Sequence, residues 1–69
     1  MAKTFSINGR SLSFYHADYE VGCGGDELPM ELGRKHYLYV WNKKKKIHAY
    51  YCFEDDLFID EKDSPFKNN

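Results

Sequence analysis

Alternating apolar and polar positions mark two hairpins. The first occupies residues 4–14, Thr-Phe-Ser-Ile, then Asn-Gly, then Arg-Ser-Leu-Ser-Phe. Asn8-Gly9 is the dipeptide that best tolerates the two positive φ angles of a type I′ turn. With Ile7 opposite Arg10, Phe5 falls opposite Leu12 and Lys3 opposite Phe14. Phe5, Ile7, Leu12 and Phe14 then share one face, and Thr4, Ser6, Ser11 and Ser13 the other. The first face is expected in the core and the second in water.

Residues 36–53, HYLYVWNKKKKIHAYYCF, read as two more strands joined by a lysine turn. Whether the loop is Lys44-Lys45 or the whole of residues 43–46, Asn42 falls opposite Ile47 and Tyr39 opposite Tyr50. Leu38, Val40, Ile47, Ala49, Tyr51 and Phe53 gather on one face, with His36 at its end. Tyr37, Tyr39, Trp41, His48, Tyr50 and Cys52 gather on the other. The aliphatic face belongs in the core.

Between the hairpins the alternation changes phase, since Tyr15, Ala17, Tyr19 and Val21 now hold the apolar positions. A β-bulge at Phe14 and Tyr15 accounts for this. Gly22-Cys23-Gly24-Gly25 ends that strand. Asp26 is placed to cap a short helix over residues 27–32, with Pro29 in its first turn and Gly33 as its stop; a structured loop is the alternative. Beyond the second hairpin, Asp55-Asp56 interrupts, and Leu57-Phe58-Ile59 reads as a short edge strand guarded by acids. The predicted fold is all-β, a small twisted antiparallel sheet or open barrel of four or five strands built from two hairpins, with one short helix; α+β is the alternative. A chain of 69 residues allows one domain with a small core. Its expected extent is residues 1–63, followed by a flexible polar tail over residues 64–69.

Charge adds a lengthwise asymmetry that the net value of −1 hides. Arg34, Lys35, Lys43, Lys44, Lys45 and Lys46 form a basic stretch without acids. Glu54, Asp55, Asp56, Asp60, Glu61 and Asp63 follow against Lys62 alone, so the molecule is expected to be dipolar. No apolar run of signal-peptide or membrane-span length is present, which predicts a soluble, cytoplasmic protein with no membrane association. In that compartment Cys23 and Cys52 are expected reduced.

No cofactor, metal or catalytic chemistry is expected. His48 and Cys52 stand four apart on a strand, roughly 13 Å along it, too far to share one zinc ion. His16, Cys23 and His36 show no ligand spacing that repairs this. Asp55 and Asp56 do not make a calcium loop. Cys23 in its glycine loop is the sole nucleophile candidate, and no histidine is tied to it by spacing, so the chain reads as a non-enzyme. Gly22, Gly24 and Gly25 lack the lysine and hydroxyl residue of a phosphate loop.

Function is therefore sought on the surface. Aromatic residues make up 17% of the chain, and Tyr and Trp are the side chains that anchor interfaces. The favoured reading is a small non-catalytic protein-binding module, an inhibitor or adaptor. Tyr37, Tyr39, Trp41, His48 and Tyr50 would dock on a larger protein, with Asp55, Asp56, Asp60 and Glu61 as an acidic patch that steers approach, including to a nucleic-acid-binding partner. Three alternatives compete: burial of that face within the monomer under residues 22–33, its burial in a homodimer, and single-stranded nucleic-acid binding through Lys43, Lys44, Lys45 and Lys46 with the same rings.

Overall fold

The computed structural model describes residues 2–22 and 28–66. Its strands are β1 (Lys3–Ile7), β2 (Arg10–Phe14), β3 (Tyr19–Val21), β4 (Met30–Leu32), β5 (Lys35–Asn42), β6 (Ile47–Cys52) and β7 (Leu57–Asp60). Among the described residues the one helical element is a single 3₁₀ turn, Glu61–Asp63. β1 and β2 form a separate two-stranded ribbon, and the other five make an antiparallel sheet in the order β3-β5-β6-β7. β3 and β4 lie end to end along the same side of β5, facing residues 40–42 and 35–37 respectively.

The first hairpin has the expected register, Ile7 to Arg10 and Phe5 to Leu12. Asn8 and Gly9 take φ of 51° and 77°, as the I′ turn demands. Phe5, Leu12 and Phe14 are buried beneath it. In the second hairpin Tyr39 opposes Tyr50 and Asn42 opposes Ile47. Its loop is the full lysine run. Asn42 builds that loop: its side-chain Oδ1 accepts from the backbone N–H of Lys44 and Lys45 at 3.0 and 3.1 Å. Its carbonyl accepts from Lys46 at 2.7 Å.

Two expectations about the elements fail. There is no bulge at Phe14 and Tyr15; the strand stops at Phe14, the chain turns with Asp18 N–H donating to His16 Nδ1 at 3.1 Å, and β3 begins a new pairing on β5. The phase change marks a change of sheet. Nor is there a helix in the described part of residues 27–32, because Met30–Leu32 is a strand on β5. A three-residue segment closes at most one helical turn, whereas an open edge of β5 offers it a ladder partner. Cys23, Asp26 and Glu27 lie outside the described residues.

The core occupies the predicted face of β5 and β6, except that Ile47, expected there, stands exposed beside the lysine turn. Leu38, Val40 and Ala49 are fully enclosed, with Phe5 and Phe14 of the first hairpin above them. Tyr19 on β3 and Phe58 on β7 stack at a centroid distance of 3.8 Å. Those strands are the two edges of the sheet, about 14 Å apart if it were flat. The sheet therefore curls strongly, and small Val40 and Ala49 give the rings room to meet. Tyr51 belongs to the same cluster, 4.9 Å from Phe58. Burial, and the hydrogen bond its hydroxyl donates to Asp56, push its pKa up to about 12.

Glu54, just past β6, ties the far end of β5 together. It accepts from both the backbone N–H and the Nδ1–H of His36 at 2.7 Å each, and Arg10 approaches it at 3.4 Å. Burial alone would raise its pKa; the His36 backbone bond and then the imidazole bond outweigh it and hold it at about 2. Beside it, Lys35 donates to Asp55 at 2.6 Å. No helix among the described residues is long and apolar enough to cross a membrane.

Candidate functional site

The second face of β5 and β6 divides into a covered half and a half-open one. Register places Met30, Tyr37, Cys52 and Leu57 in one row and Tyr39, Tyr50 and Ile59 in the next. Tyr37, Tyr50 and Cys52 are buried, packed under Met30, Ile59 and Phe66. Phe66 reaches them because the chain folds back after the 3₁₀ turn. Ser64 is buried there, and the Phe66 ring lies 5.3 Å from Tyr37 and 4.8 Å from Tyr50. Burial raises the pKa of Tyr37. Cys52 is a free thiol with almost no exposed surface.

Toward the lysine turn the rings come into the open. Tyr39, Trp41 and His48 are each partly exposed. Tyr39 and His48 stack at 4.6 Å with planes 13° apart, and Trp41 meets the same imidazole at 4.7 Å and 67°. Trp41 and His48 are direct cross-strand partners, and Tyr39 is the diagonal neighbour of His48 on the adjoining strand. Strand pairing thus assembles three consecutive second-face side chains into one continuous aromatic row. Two carboxylates border it. Glu20 is the β3 partner of Trp41 and so points to the same side, while Glu61 accepts from the Tyr39 hydroxyl at 3.1 Å.

The residues singled out from sequence are thus divided. Tyr39, Trp41, His48 and Glu61 come together, with Tyr37 and Tyr50 buried as their support. Asp55 and Asp56 sit in the β6–β7 turn at the other end of the hairpin, where Lys35 and the Tyr51 hydroxyl engage them. The bond from Lys35 keeps the Asp55 pKa below the usual carboxylate range. Asp60 opposes Ala49 and so belongs to the core side. The acids do not form one patch with the rings.

Two of the turn lysines, Lys44 and Lys45, turn away from the rings. Lys45 reaches Asp60 at 3.8 Å and Lys44 reaches Asp18 at 3.4 Å, both on the side of the first hairpin. Lys43 lines a shallow cleft of about 260 Å³ along β3, together with Lys3, Phe14, Tyr19 and Glu20. Among the described residues no group of three or more His, Cys, Asp or Glu side chains is arranged to hold a metal ion.

Sequence reasoning passed over Glu20 and Phe66. Glu20 shows as a polar position in an alternating run, but its place beside Trp41 depends on β3 choosing β5 as partner. Phe66 is the one large apolar residue in a polar terminal stretch, and that isolation was the available signal. No protein-family model matches the chain, and comparison with curated proteins and with solved structures likewise gives no match.

Proposed function

We propose that this domain is a non-catalytic protein-binding module that acts as an inhibitor or adaptor by docking the Tyr39, His48 and Trp41 row on a larger partner. The observation that carries the reading is the row itself. Tyr39 and Trp41 both pack on the His48 imidazole on a sheet face, each ring partly exposed, and the buried Tyr37 and Tyr50 support the row from one side. Rings already stacked lose little freedom on binding, and central aromatic anchors dominate interface energetics. The Trp41 indole, next to the turn and farthest from the Phe66 cover, is the natural anchor.

A photo-crosslinking residue introduced at position 41, with one at exposed Thr4 on the ribbon as control, identifies the partner. The purified pair then gives the test. Trp41→Ala is expected to weaken binding by at least about 2 kcal/mol while circular dichroism stays unchanged. Unaltered affinity would remove the aromatic row from the account.

A further inference from the structure

We infer that the open edge of β3 takes up an extended segment of a protein partner as an added strand, at a place separate from the aromatic row. The sheet order β3-β5-β6-β7 leaves β3 paired on one side, and among the described residues no strand lies on its other side. Hydrogen-bond parity decides which backbone groups face that edge. Lys43 N–H donates to the Asp18 C=O at 2.8 Å, and two residues on, register puts Glu20 opposite Trp41. Bonded pairs alternate along an antiparallel ladder, so Asp18 and Glu20 direct their backbone groups to β5 while Tyr19 and Val21 turn theirs outward. The Tyr19 N–H agrees, since it donates to the His16 C=O at 3.3 Å. What faces the open edge is thus the Tyr19 C=O and both the N–H and the C=O of Val21.

The cleft of about 260 Å³ lies at that same edge. Tyr19 and Val21 pack toward the core and Glu20 points to the side of Trp41, so a cleft lined by all three consecutive residues runs along the edge of the strand and not over either face. The rest of its lining includes Phe14 and the exposed Tyr15. Its charged groups, Lys3, Lys43 and Glu20, carry both signs and so select neither an anion nor a cation. Backbone donors and acceptors beside rings match an extended peptide, which offers its own backbone to the first and a large apolar side chain to the second. Three backbone bonds alone hold weakly, so the side chain seated in the cleft supplies the choice of sequence. A nucleic-acid strand has no alternating amide donors and acceptors with which to continue the ladder.

The test follows the backbone amides of the intact domain by NMR. In the dilute free domain the Val21 N–H is expected to exchange with solvent faster than the Glu20 N–H, which β5 holds. Equal protection of Val21 would mean that the edge is already covered and would overturn the inference. Protection that appears only as protein concentration rises would overturn it too, by giving the edge to a second copy of the chain. The capped hexapeptide Thr-Val-Thr-Phe-Thr-Val is then titrated in, and is expected to shift the Val21 amide and the Phe14 and Tyr15 rings saturably while protecting the Val21 N–H. Copies N-methylated at one position each are expected to bind about two- to ten-fold more weakly when the methyl falls on alternate residues, the worth of one backbone bond, and unchanged on the residues between. No saturable shift at Val21 would contradict strand addition. So would equal binding by every N-methylated copy, which would leave the cleft as a pocket for a side chain only. Neither result touches the aromatic row, which stands or falls on the Trp41→Ala affinity.

Discussion

Glu54 shows how one side chain in an apparently solvent-facing acidic run becomes structural. Its carboxylate satisfies two donors of His36, one of them a backbone N–H, and stands beside Arg10. Glutamine can accept at one oxygen only, so Glu54→Gln is expected to cost about 1–3 kcal/mol at neutral pH. Because the folded pKa lies near 2, below the ordinary value of 4.5, the stabilisation is complete above about pH 5 and is lost as pH falls toward 2. Urea denaturation of both proteins from pH 7 to 2.5 checks this: the gap between them should narrow below pH 4.5, and a constant gap would count against the assignment. Sequence showed the acids of residues 54–63 as a block but not their separate duties. Asp55 meets Lys35, Asp56 meets Tyr51, Asp60 meets Lys45 and Glu61 meets Tyr39. Each pairing joins side chains that strand register brings close, and charge patterning along the chain carries no register.

At the level of elements, the β5–β6 and β6–β7 connections are four-residue loops that close on a left-handed residue, Lys46 at φ 58° and Asp56 at φ 52°. Aspartate tolerates that conformation, and its carboxylate is used by Tyr51; lysine has neither compensation. Lys46→Gly is accordingly expected to stabilise the domain by up to about 1 kcal/mol in chemical denaturation, the relief of strain exceeding the entropy that glycine loses on folding. A loss of stability would mean that the Lys46 side chain contributes more than its backbone costs. The two hairpins were legible down to the residue pairs, because alternation sets the faces and Asn8-Gly9 and the lysine run set the turns. β4 was not. Asp26, Pro29 and Gly33 punctuate residues 27–32 as they would a helix, and what makes Met30–Leu32 a strand is an open stretch of β5 supplied from elsewhere in the chain. For the same reason, the regular alternation through Tyr19 and Val21 reads in the sequence as a bulged continuation of β2, whereas the segment pairs with β5.

Over the whole molecule, the aromatic content divides between two jobs. Phe14, Tyr19, Tyr51 and Phe58 fill the concave side of a curled sheet, and the other set runs along the convex side from a covered end at Phe66 to an open end at Trp41. Charge divides too, since Lys44 and Lys45 of the turn reach Asp18 and Asp60 on the concave side, while Glu20 and Glu61 border the rings. A single-stranded oligonucleotide is therefore expected not to bind at about 0.15 M salt, and any low-salt binding should leave Trp41 emission unchanged. Quenching of that emission by an oligonucleotide, with a steep salt slope, would favour the lysines instead. The central claim is that the row of Tyr39, His48 and Trp41 is open to a partner in the free monomer. It is tested most directly by acrylamide quenching of Trp41, the single tryptophan, over a wide range of protein concentration. A red-shifted emission, quenched equally well at every concentration, is the expected result. A blue-shifted emission that resists quenching even at the greatest dilution would place the row inside the fold and contradict it.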